Sequence, residues 1–193
     1  MTPTPATAAA AFALVVLGVV ALFLLLGTYN AIVALRNRIA KAWANIDVAL
    51  RQRHDELPNL VEAVRDLMAF ERDVLLEVTR ARAAYSANDP VPAMAATSDV
   101  TSQAVRHLFA VVERYPELRS AENVATLQAE IARLEDVIAD RRELYNDQVF
   151  RYNTRIGQVP ARLLVPLFGW RPEPFFAATK DERSNPRAEL SAD

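Results

Sequence analysis

The sequence has 193 residues, 52% of them hydrophobic and 24% charged, with a net charge of −2 and no cysteine. That balance argues against a dedicated nucleic-acid binder, and the missing thiols exclude disulfide scaffolds, thiolate zinc sites and cysteine nucleophiles. All 46 charged residues (22 basic, 24 acidic) lie beyond Leu35, so an apolar leader precedes a highly charged body that amounts to one domain, or one domain plus a tail.

Residues 1–7 form a short segment without Lys or Arg, and residues 8–28 read as a transmembrane helix. Ala8 to Leu26 is AAAAFALVVLGVVALFLLL, long enough for the ~30 Å hydrocarbon layer. A cleaved signal peptide would have a basic segment before its apolar core and a small-residue cleavage site after it. Neither is present, so the helix is expected to stay as an anchor. On its carboxyl side Arg36, Arg38, Lys41, Arg51 and Arg53 face one acid, Asp47, before position 55. The positive-inside rule then leaves the amino terminus outside and the large domain in the cytoplasm, on the inner membrane.

Residues 29–160 are expected to be helical throughout. Ile32, Leu35, Ile39, Trp43, Ile46 and Leu50 recur at three- and four-residue steps, so an amphipathic helix continues out of the membrane. A second stripe runs through Leu57, Val61, Val64, Met68, Leu75, Val78 and Tyr85. Asp55 as N-cap and Pro58 in the first turn favour a new helix there, the alternative being one long helix that kinks at the proline. Ser86 to Pro92 is a breaker. A third helix, capped by Ser98-Asp99, carries Val105, Leu108, Val112 and Tyr115 and ends at Pro116. The fourth runs from Val124 to Ile156 and stops near Gly157 and Pro160. Period-two alternation is lacking in all these windows, and the connections are short. The expectation is an all-α protein: one N-terminal transmembrane helix, then an antiparallel four-helix bundle of long amphipathic helices approximating coiled-coil heptads. Charges of alternating sign between the stripes, such as Arg65, Asp66, Glu71 and Arg72, are either a solvated face or a surface for lateral assembly.

No catalytic constellation emerges. A Glu-x-x-His metal pair fails at both histidines, because Arg51 and Ala104 stand three residues before His54 and His107. His54 reads as part of a capping and surface cluster with Asp55 and Glu56, and His107 as a core-edge residue. Gly18 and Gly27 belong to the span, so no phosphate loop is available. The expectation is no enzyme activity, no metal and no cofactor.

Tyr-Asn occurs at Tyr29-Asn30, Tyr145-Asn146 and Tyr152-Asn153, and the last two pairs lie seven apart on one side of the fourth helix. Either Tyr145 and Tyr152 pack at the core edge while Asn146 and Asn153 bond across to a neighbouring helix, or these residues, with Asn59, form a polar seam for a ligand. Residues 161–176 form an apolar and basic extension. If the four helices alternate in direction, the fourth returns to the membrane, and Leu163, Leu164, Phe168 and Trp170 dip into the inner-leaflet interface beside Arg162 and Arg171. The alternative is that they fold back over the bundle end. The tail 177–193 is expected to be disordered.

The runs YNAIVALRNRIAKAWANIDVALRQRHDELPNLVEAV (29–64), LFAVVERYPELRSAENVATLQAEI (108–131) and RRELYNDQVFRYNTRIGQVP (141–160) resemble the LemA family, with LFGWRPEPFF (167–176) similar to its closing segment. Glu56 and Leu57 stand where the family tends to have an aliphatic residue and an isoleucine. The resemblance covers roughly residues 12 to 176. It implies a bacterial, membrane-anchored protein with a four-helix soluble part and brings no catalytic residue. Two functions follow as expectations. The first is a non-catalytic helical scaffold that self-associates or recruits other membrane proteins at the bilayer. The alternative is a ligand- or stress-responsive signalling component that binds a small molecule in the bundle.

Overall fold

Helix is the only regular structure among the described residues, which are 5–65, 68, 71–119 and 121–176 of a computed structural model. Six helices follow in order: α1 Pro5–Arg65, α2 Arg72–Ala83, α3 Val91–Val112, α4 Pro116–Arg119, α5 Glu122–Gly157 and α6 Ala161–Phe168. The expected tail from residue 177 and the first four residues lie outside the described part.

The chain divides into two compact units, and α1 and α5 each supply residues to both. The first comprises residues 1–41 and 147–173. In it α1 opens with a long stretch whose large apolar side chains meet solvent on every side, with Phe12 72%, Leu17 65% and Phe23 71% exposed. The stripe begins only afterwards, and Ile32 and Ile39 are buried, as are Val149, Tyr152 and Ile156 of α5. One helix is therefore long and apolar enough to cross a membrane, by length and composition.

The second unit comprises residues 42–146 and the segment from Pro174. Its core joins Leu57, Leu60 and Val64 of α1 to Val74 and Val78 of α2, Val105 and Leu108 of α3, and Val124 and Ile131 of α5. Leu57, Val64, Val78, Val105, Leu108, Val124 and Ile131 are positions the apolar stripes mark, whereas Leu60 and Val74 are buried where the stripe runs through Val61 and Leu75, which are only half-buried; α2 packs on α3.

Two helix starts differ from expectation. No new helix begins at Asp55: α1 runs unbroken to Arg65 with Pro58 inside it. A proline within a helix leaves the carbonyl four residues earlier without its N–H. That carbonyl belongs to His54, and Nε of Arg82 donates to it at 3.1 Å. A side chain from α2 thus replaces the missing donor and the helix continues. Second, α3 starts at Val91, inside the expected breaker, with Pro90 as its N-cap and Pro92 in its first turn. Prolines are tolerated there because the first N–H groups of a helix have no intrahelical partner. Ser98 and Asp99 consequently sit mid-helix, where their side chains serve other helices.

Candidate functional site

Arg53 is 3% exposed in the second unit. It continues the stripe Ile46, Leu50, Leu57 in steps of four, three and four, and so faces inward. Its Nη1 donates to Oε1 of Glu135 on α5 at 2.7 Å and to Oγ of Ser102 at 2.9 Å, and its Nη2 donates to Oγ of Ser98 at 3.1 Å. Ser102 in turn donates to Oε2 of Glu135 at 2.5 Å. Buried charges persist only when paired and hydrogen-bonded. One guanidinium satisfied from α3 and α5 therefore ties three helices together. On the same α3, Asp99 pairs with Arg142 of α5 at 2.8 Å.

Beside this network lies a cleft of about 10 Å3, room for one water molecule, lined among others by Arg53, His54, Arg82, Tyr85, Ser98 and Thr101. His54 is half-buried within α1 and its ring rests on Tyr85 with centroids 5.1 Å apart, so it is no capping residue. Burial, and after it the nearby Arg82 guanidinium, pull its pKa below the ordinary value. Tyr85 donates to Asp47 at 3.3 Å, and burial first, then that carboxylate, raise its phenol. His107, in contrast, is exposed on α3 and pairs with Glu77 at 2.8 Å.

Of the Tyr-Asn pairs, Tyr145, Asn146 and Asn153 grip the chain's own closing strap, residues 173–176. In the second unit Asn146 donates from Nδ2 to the carbonyl of Phe176 at 3.0 Å, and its Oδ1 accepts the Phe176 N–H at 2.8 Å. Tyr145 donates to the Pro174 carbonyl at 3.0 Å. Phe176 is wholly buried, lies 6.1 Å from the Trp43 ring and carries the Arg142 guanidinium 4.8 Å above its own. In the first unit Asn153 repeats the pattern with Glu173: donor to its carbonyl at 3.0 Å, acceptor from its N–H at 2.9 Å. Burial is the main cause that raises the Tyr152 phenol, opposed by Arg36 and helped by Glu173. Asn59 does not join them; it is exposed and bonds to Glu56 one turn away. Each gripping amide uses both its donor and its acceptor, so a ligand there would have to displace the strap.

The residues expected at the lipid interface divide by face. In the first unit Tyr29, at the end of the bare apolar stretch, lies 5.0 Å from Phe168 and 6.3 Å from Trp170, and these two stack at 5.1 Å. Gly169 ends α6 at φ 64° and donates its N–H to Val165, a left-handed cap that turns the chain so that Trp170 meets Phe168. Trp170 is buried and Leu164 half-buried, whereas Arg162, Leu163 and Arg171 are exposed. Arg53, Ser98, Ser102 and Glu135 form a network, and Arg142 a pair with Asp99, that the sequence pattern did not mark as a site. The signal for the first three was present: polar residues standing on a stripe otherwise apolar.

The LemA family model matches residues 42–189 of the chain. Among curated proteins, magnetosome protein MamQ 2 of Paramagnetospirillum magneticum is similar, 24% identical over 79% of this chain and 65% of its own length. Magnetosome protein MamQ of Magnetospirillum gryphiswaldense matches to the same extent. The chain thus spans less than two thirds of the length of these relatives.

Proposed function

The chain belongs to the LemA family, and we propose that it is a non-catalytic, single-pass inner-membrane protein whose helical body faces the cytoplasm and acts as a scaffold, self-associating or recruiting other membrane proteins. The observation that carries this reading is the change of character along α1. One helix passes without interruption from bare apolar surface to a stripe buried in a charged helical body. Water disfavours the first part and lipid accepts it, and continuity of the helix ties the body to the anchor. Charge supports the orientation: residues 1–41 and 147–173 hold seven Lys/Arg against two Asp/Glu, whereas residues 42–146 hold 12 against 18. A basic unit beside the span belongs on the cytoplasmic side.

The body is read as an antiparallel four-helix bundle of α1, α2, α3 and α5, supported by the reach of Arg53 from α1 to α3 and α5 and by the packing of α2 on α3. Its surface offers rows of charge and a few exposed apolar residues such as Val48, Leu76 and Val100, which suits reversible lateral contact between helices. Cross-linking of the full chain in native membranes, followed by size analysis, tests the scaffold. Species larger than one chain are expected; a strictly monomeric product under efficient cross-linking contradicts self-association.

A further inference from the structure

The short helix α6 is apolar on both sides. Ala161 is buried, and Leu164 and Val165 are half-buried on its packed side, yet Leu163 and Leu167, four residues apart and hence on one face, are 72% and 71% exposed. Val159, just before the helix, is 71% exposed. In water such a face is unfavourable, and helices apolar all round are normally buried. The position of α6 identifies what covers it. Tyr29, which holds Phe168 and Trp170, follows directly on the bare apolar stretch of α1. The 18 residues from Ala11 to Thr28 rise about 27 Å, close to the thickness of the hydrocarbon layer. Tyr29 therefore marks the edge of the bilayer, where aromatic rings collect, and the end of α6 is fixed at that depth. Arg162 and Arg171 flank the exposed leucines, and the unit that holds them has the basic excess noted above.

We propose that α6 is a second membrane contact: it lies in the cytoplasmic interface with Leu163 and Leu167 inserted among the acyl chains and Arg162 and Arg171 on anionic phospholipid headgroups. A neutral interface satisfies only the leucines, whereas an anionic one satisfies both sets of side chains. The span alone leaves the first unit free to rotate about the axis of α1; a second contact fixes which side of α6 meets the bilayer. This rests on the membrane-anchored reading, and its test separates the two.

The full chain has no native cysteine, so single nitroxide labels at Leu163→Cys, Leu167→Cys, Leu17→Cys and Val100→Cys report their own surroundings. The protein is reconstituted in phosphatidylcholine vesicles with and without phosphatidylglycerol, and collision with oxygen is compared with collision with a water-soluble nickel chelate. Labels at 163 and 167 are expected to collide several-fold less with nickel than the label at 100, and to lie deeper when phosphatidylglycerol is present. Replacing Arg162 and Arg171 by Gln should abolish that lipid dependence. Nickel access at 163 and 167 equal to that at 100, with the label at 17 in lipid, overturns the proposal while the anchor stands. Depth unchanged by phosphatidylglycerol overturns the part given to the arginines. A water-exposed label at 17 overturns the anchor itself.

Discussion

Nε of Arg82 donates to the main-chain carbonyl of His54 at 3.1 Å, and that is the carbonyl that Pro58, four residues on, cannot serve. Arg82→Ala is therefore expected to lower stability by about 1–2 kcal/mol, the worth of a hydrogen bond to an otherwise unmet, partly buried acceptor. Pro58→Ala restores a backbone N–H at the same carbonyl. In that background the loss from Arg82→Ala should fall by at least half. Thermal unfolding of the four proteins in detergent micelles closes the double-mutant cycle; strict additivity would show that Arg82 does not compensate for the proline.

Arg53 should be the most sensitive polar position in the body. Arg53→Met leaves Glu135 facing an apolar side chain, and removal of one partner from a buried pair is expected to destabilise by about 3 kcal/mol. Because Arg53 is 4% and Glu135 22% exposed at the side chain, water can relieve the carboxylate only in part. Glu135→Gln added to Arg53→Met should recover a good share of the loss. Denaturant unfolding measures both, and equal losses in the single and double variants would contradict the assignment of the deficit to an unpaired carboxylate.

The two asparagine clamps predict separable effects on the strap. Asn146→Ala removes two hydrogen bonds to Phe176, together about 2 kcal/mol, and should speed exchange of the Phe176 amide roughly 30-fold. Asn153→Ala should act in the same way on the Glu173 amide. Asn146→Asp keeps an acceptor for the Phe176 N–H and should retain more of its protection than Asn146→Ala. Hydrogen exchange resolved by residue reads all three, and unchanged exchange at both amides would contradict the clamps.

His54 predicts a pH dependence with a definite sign. Its folded-state pKa lies below the unfolded value of about 6.5 because burial, and then Arg82, disfavour the charged ring. Below that pH the unfolded chain binds a proton more readily than the folded one, so this contribution is fully present above about pH 6.5 and is lost as pH falls through the folded pKa. Charged and titratable groups facing this region include Arg82, Arg53, Asp55, Asp47 and the Tyr85 phenol. The difference between the wild type and His54→Gln reports the contribution of the ring. The wild type should lose more melting temperature than the variant between pH 7.5 and pH 5.5; equal losses would contradict the burial argument.

Most of the fold was legible because burial on a helix is periodic. Ile32, Ile39, Ile46 and Leu50 were picked out by spacing alone and are all buried. Rules of local chemistry failed where a distant group intervened. Pro58 reads as a helix start until Arg82 supplies the missing donor from another helix, a contact 28 residues away in sequence. Ser98 and Asp99 read as a cap until their partners, Arg53 and Arg142, are seen to lie on α1 and α5. The Tyr-Asn repeat was visible, and so was the side of α5 it marks. Its partner was not, because an asparagine that binds backbone leaves no signature in the residue it binds.

The side of the membrane on which the body lies is open to one direct measurement. Asn88→Cys, in an otherwise cysteine-free chain, is exposed to a membrane-impermeant maleimide in sealed cells and again after permeabilisation. Labelling is predicted only after permeabilisation; ready labelling in sealed cells would place the helical body outside and contradict the account.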